Sequence, residues 1–189
     1  MAVVDKLVIV PAPRLETPFP LHMEGTVVHG FGRGSTALGF PTANLPFDDK
    51  LVPWVKSGVY FGWASLRLPP SHTDFPTASS SQATSDFIVF PMVMSIGCND
   101  FYKTTVPSVE VHVLHKFGAN FYGVDMRIVV TGFIRKMRDY PSVEALVADI
   151  TLDCDIARQS LDSEAHALWE TDKGTLDGRW LVREAETAQ

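Results

Sequence analysis

A chain of 189 residues that is 46% hydrophobic is long enough to bury one sizeable core, and ordinary domain sizes predict a single domain. Twenty-two acidic against sixteen basic residues leave a net charge of −6, which excludes the basic face that nucleic-acid phosphates require. Two cysteines far apart, Cys98 and Cys154, give no disulfide framework, and no run approaches the ~18 apolar residues of a membrane span, so a cytoplasmic chain is expected.

Pro11, Pro13, Pro18 and Pro20 make residues 1–22 an extended lead-in outside the core. A strand pattern follows over Met23–His29. It runs into Gly30-Phe-Gly-Arg-Gly-Ser-Thr-Ala-Leu-Gly-Phe-Pro-Thr-Ala-Asn44, where Gly30, Gly32, Gly34 and Gly39 let backbone amides approach a polyanion closely. The spacing fits neither common glycine signature. Ser35 stands where a dinucleotide fingerprint needs its third glycine, and Phe40-Pro41 stand where a Walker loop needs Lys-Ser/Thr. Thr42 and Asn44 are hard oxygen ligands two residues apart, so in an extended segment they face one side and suit Mg²⁺ shared with phosphates. A hairpin turn rich in Gly, Pro and Asn has the same composition.

Further strands are predicted over Gly58–Leu68, Phe87–Ile96, Ser108–Leu114 and Asp125–Ile134, an antiparallel barrel or sandwich. Between the first two, Pro69–Asp86 is Ser/Thr-rich and reads as a mobile insertion. In Ser108-Val-Glu-Val-His-Val-Leu-His115, alternation puts Val109, Val111 and Val113 on one face and Glu110 and His112 on the other. Glu110 is a candidate general base for phosphoryl transfer, although an exposed strand face also carries glutamates for solvation alone. His112 and His115, three apart, fall on opposite faces of a strand and make a poor zinc pair. Ser142 then predicts a helix N-cap, with Val143, Leu146, Val147, Ile150, Cys154, Ala157 and Leu161 as its packing stripe. Residues 166–189 read as a tail, and Leu168–Val182, with Trp169 and Trp180 among charges, fits a short packed helix or a surface arm.

In order along the chain, Gly25-Thr-Val-Val-His-Gly-Phe-Gly-Arg-Gly, Leu38-Gly-Phe-Pro-Thr-Ala-Asn-Leu-Pro46, Ser57-Gly-Val-Tyr-Phe-Gly-Trp-Ala-Ser65, Val93-Met-Ser-Ile-Gly97, Ser108-Val-Glu-Val-His-Val-Leu-His115, Phe121-Tyr-Gly and Gly132-Phe-Ile-Arg135 resemble the riboflavin kinases. The resemblance covers about residues 23 to 161, and the domain it implies spans 23–165. It implies a six-stranded antiparallel Greek-key β-barrel with a C-terminal helix, and Mg²⁺-dependent transfer of the ATP γ-phosphate to riboflavin, giving FMN. By the same resemblance Thr42 and Asn44 bind Mg²⁺ with the nucleotide phosphates, and Glu110 is the base on the ribityl hydroxyl. Gly30, Arg33, Thr36 and Tyr122 fall on the nucleotide side. Val113, His115 and Arg135 fall on the flavin side, with Arg138 and Tyr140 in a loop that closes over flavin.

The chain departs from the family pattern at Cys98-Asn99-Asp100, at Lys136, and at Thr36, where related animal enzymes carry a lysine. The small-molecule substrates implied are riboflavin and ATP, with no nucleic acid or membrane partner, and a monomer is expected. The alternative is a flavin- or nucleotide-binding barrel without catalysis. The intact Thr42, Asn44 and Glu110 weigh against it, because a pure binder needs neither base nor metal hook.

Overall fold

A computed structural model describes residues 15–29, 38–47, 53–75, 86–97, 108–163, 166–168, 176 and 178–183. Its strands are β1 (Leu21–Thr26), β2 (Ala43–Leu45), β3 (Gly58–Leu66), β4 (Ile88–Gly97), β5 (Ser108–Val113) and β6 (Asp125–Arg135), followed by helices α1 (Val143–Leu161) and α2 (Arg179–Val182). They form one six-stranded antiparallel sheet in the order β1-β6-β3-β4-β5-β2. Three hairpin-paired strands, β3, β4 and β5, are followed by β6 returning beside β3, the Greek-key order. A bridge between Val28, just after β1, and Asn44 of β2 draws the two edges of the curled sheet together.

Period-two alternation is cleanest in β5, where Val109, Val111 and Val113 are buried and Ser108, Glu110 and His112 are half-buried. β3 and β6 instead read as near-continuous burial because both of their faces are covered. The concave face packs Met23, Tyr60, Leu66, Met92, Met94, Val111, Met126 and Ile128 into the barrel interior. On the convex face Val59, Phe61, Val93 and Ile134 meet Cys154, Ala157 and Leu161 of α1. Gly132 sits opposite Phe61, and a Cβ there would lie 2.3 Å from that ring, so strand and ring approach this closely only with glycine.

Three expectations change. Phe19 packs on the inner core and Leu21 begins β1, so the domain starts inside the expected lead-in. α1 meets the sheet from Ile150 onward: Val143 is exposed, and the buried positions are Asp153, Cys154, Ala157, Ser160 and Leu161. Ser142 does cap the helix, its Oγ accepting from Ala145 N at 3.2 Å. The insertion is not uniformly a free loop. His72 N donates to Pro69 O at 2.8 Å and Phe75 N to His72 O at 3.0 Å, and Phe75 joins the core, whereas residues 76–85 lie outside the described residues. Of the two readings of the tail, the packed helix agrees with α2: Leu176 and Leu181 are buried against Val129, and Ser65 Oγ donates to Leu181 O at 2.7 Å.

Candidate active site

β2 is too short to announce itself in the sequence, yet its register builds the site. Ala43 pairs with Val111, Asn44 with Glu110 and Leu45 with Val109, while Ser95 of β4 pairs with Glu110 from the other side. Directly opposed residues of an antiparallel ladder share a face, with Cβ atoms roughly 4.5–5.5 Å apart. Since Ala43, Leu45, Val109 and Val111 are buried, Asn44, Glu110 and Ser95 stand in one half-buried row on the other face. The carboxamide of the Pro-Thr-Ala-Asn hook is thereby placed beside the carboxylate of β5. Thr42 lies two residues before Asn44, across the buried Ala43.

The hook is braced from both sides. Gly39 turns the chain into it at φ +86°, a left-handed conformation that glycine adopts freely. Val28 N donates to Asn44 O at 2.9 Å. His112 Nδ1 donates to Pro41 O at 2.9 Å, and its ring meets Phe40 edge-on at 5.5 Å. Burial holds His112 below the ordinary histidine value, against the opposing pull of the Pro41 carbonyl, so the neutral Nδ1–H ring serves as donor. Sequence reasoning gave His112 no role beyond a weak metal ligand. The signal available was its place two residues from Glu110 on the same strand face. Among the described residues, no group of three or more His, Cys, Asp or Glu side chains is arranged to hold a metal ion.

Beside the hook opens a cavity of ≈ 860 Å³, lined among others by Thr42, Val113, His115, Phe117, Tyr122 and Arg158. Tyr122 is exposed and stacks on His29 at 3.7 Å, the ring planes 25° apart. Arg158, on α1, adds a cation that sequence reasoning passed over. Cys154 also lines the cavity, but burial pushes its thiol up to about 11, so it is inert near neutral pH.

The structure divides the residues expected on the flavin side. Val113 and His115 share the cavity with Thr42 and Tyr122. Arg135, Arg138 and Tyr140 gather instead on α1. Arg135 grips Asp153 with both arms of its fork, Nη2 at 2.6 Å and Nε at 3.0 Å. Tyr140 donates to Asp149 Oδ2 at 2.7 Å, and Arg138 pairs with the same carboxylate. Burial raises the Asp153 carboxyl above its usual range, and the Arg135 fork opposes that shift. Gly30, Arg33 and Thr36 of the glycine loop lie outside the described residues.

Fold and site together define a Greek-key barrel whose short β2 sets a carboxamide opposite a carboxylate, with the hydroxyl-bearing Thr42 of the same hook lining a ligand-sized cavity. The family model described as "Flavokinase: Riboflavin kinase" matches residues 17–161, and the chain belongs to that family. A riboflavin kinase of Pyricularia oryzae is 52% identical over 97% of this chain and 96% of that protein. One of Chaetomium globosum is 46% identical over 95% and 92%. The crystal structure of riboflavin kinase from Trypanosoma brucei matches with a TM-score of 0.62 at 29% identity, covering 90% of this chain and 94% of that one. No helix among the described residues is long and apolar enough to cross a membrane.

Proposed function

We propose that this chain transfers the γ-phosphoryl group of ATP to the 5′-hydroxyl of riboflavin, with Glu110 as the base. The observation that carries the reading is the Asn44–Glu110 pairing, which joins a metal-ligand type to a carboxylate on one accessible strand face. A barrel that only bound flavin or nucleotide would have no use for that pair, and the family comparisons favour catalysis over the non-catalytic alternative.

In the proposed reaction the ribityl hydroxyl gives its proton to the Glu110 carboxylate as its oxygen forms the new bond to the γ-phosphorus. The bond from that phosphorus to the β,γ-bridging oxygen breaks, and ADP leaves. Glu110 positions the acceptor in line and removes the proton, while the neighbouring Asn44 and Ser95 fix the row in which it stands. Thr42 and Asn44 would hold Mg²⁺. Their uncharged oxygens suit an ion whose charge the phosphates already balance, and when bound there it would neutralise charge developing on the transferring group.

The cavity between the hook and Tyr122 is assigned to ATP, on its size, its exposed aromatic stack and the cation of Arg158. His115 then belongs to the nucleotide wall, and Val113, buried in the core, to its floor. Flavin is assigned to the opposite side, under the loop that carries Arg135, Arg138 and Tyr140.

Glu110→Gln tests the base. Turnover should fall about 10²–10⁴-fold while binding of both substrates changes little, the usual size of a general-base contribution. Glu144→Gln, on the exposed first turn of α1, is the control for loss of a carboxylate. Near-normal turnover in folded Glu110→Gln protein would remove Glu110 from the chemistry.

A further inference from the structure

Asp74, in the turn after β3, grips the wall of the cavity. Its Oδ2 accepts from Gly118 N at 2.9 Å and from Thr73 Oγ1 at 2.9 Å, and its Oδ1 lies 3.1 Å from His115 Nε2. Its own backbone N–H donates to His72 Nδ1 at 3.1 Å, so both ends of the residue are fixed. Gly118 and His115 belong to the stretch 114–122, every residue of which lines the cavity. A Cβ at Gly118 would lie 2.8 Å from Thr73 Oγ1, so a side chain there would displace the hydroxyl that donates to Asp74. Phe90 and Phe117 hold the His115 ring at 4.9 Å and 4.7 Å. The turn itself is anchored through Phe75 on the inner core, with the His72 ring edge-on to Phe117 at 6.3 Å.

We infer that Asp74 is a positioning residue for the nucleotide: it fixes His115 and Gly118 and so sets the shape of the wall that faces Thr42 across the cavity. The inference rests on the assignment of that cavity to ATP. The backbone bond from Gly118 first, and His115 next, hold the Asp74 carboxyl down to about 2, so at neutral pH it is a pure acceptor. His115 must therefore present Nε2–H to it, and in the neutral ring Nδ1 is left as the acceptor. No polar contact described for Asp74 reaches the barrel strands; its partners are the turn that carries it and the cavity wall.

Asp74→Asn keeps the size of the side chain but turns one acceptor oxygen into an amide donor, so either Gly118 N–H or His115 Nε2–H loses its acceptor, or His115 must give up the Nε2–H tautomer. The KM for ATP, and the Kd for ADP measured by calorimetry, should rise roughly tenfold or more, as loss of a hydrogen bond to a charged group does, with kcat and the KM for riboflavin little changed. A role confined to stability would lower the folded fraction without that split. Nitrogen NMR of the wild-type protein tests the same contact independently of any variant: neutral His115 should be the Nε2–H tautomer. Wild-type ATP and ADP affinities in folded Asp74→Asn protein, or an Nδ1–H tautomer for His115, would overturn the inference. Wild-type protein that forms no FMN would instead overturn the function on which the inference rests.

Discussion

Asn44 and Glu110 are far apart in the chain and opposite one another in the ladder, and the proposed site rests on that single register. If Thr42 and Asn44 hold the metal, Thr42→Ala or Asn44→Ala should raise the Mg²⁺ concentration for half-maximal turnover by at least about tenfold, as even removal of outer-shell partners does. Riboflavin binding, followed by quenching of its fluorescence, should stay unchanged. Identical Mg²⁺ titrations in wild type and both variants would take these residues out of the metal site. The candidates Thr42, Asn44 and Glu110 came from local patterns, hard oxygen donors two apart and a carboxylate in a valine alternation. Their partners did not. The bonds from His112 to Pro41 and from Asp74 to Gly118 join positions whose proximity only the folded register creates.

α1 shows the same division among the elements. Its cap and extent followed from Ser142 and the apolar spacing, but the stripe located the buried face only in the second half. Around its middle the helix borders the loop 136–142, and there Asp149 and Asp153 receive Tyr140, Arg138 and Arg135, so a carboxylate occupies a buried position that an apolar pattern cannot reveal. Asp153→Ala should leave the Arg135 guanidinium partly buried without its bidentate partner, lowering the unfolding free energy by about 3 kcal/mol in urea titrations. A loss below about 1 kcal/mol would mean that solvent already screens the pair. The insertion divides likewise. Removing residues 76–85, which are polar and Ser/Thr-rich, should leave turnover and the KM for ATP near wild type, whereas a deletion extended through 72–75 takes Asp74 with it and should raise that KM. Equal KM values for the two deletions would separate the turn from the cavity wall.

Across the whole molecule, burial lowers His22, His112 and His166 below the ordinary value of 6.5. The unfolded chain therefore takes up protons below pH 6.5 before the folded one does. Their contribution to stability is full above 6.5 and is lost as the pH falls through the folded values. Asp74 acts in a lower window, its contribution full above 3.8 and lost as the pH falls towards about 2. Urea midpoints should therefore drop between pH 7 and pH 5, and a flat profile would contradict the burial of these rings. The Greek-key barrel was legible because five strand-like runs stood between turn residues, cleanly alternating only in β5, and the ordered family motifs implied the topology. β2 was read only as a hook, since three residues carry no periodicity of their own. The central claim, phosphoryl transfer from ATP to riboflavin, is tested most directly by incubating the purified chain with riboflavin, ATP and Mg²⁺ and separating the flavins by chromatography. FMN and ADP should form in equal amounts, and no FMN when Mg²⁺ is chelated. Riboflavin that binds but is recovered unchanged would contradict it.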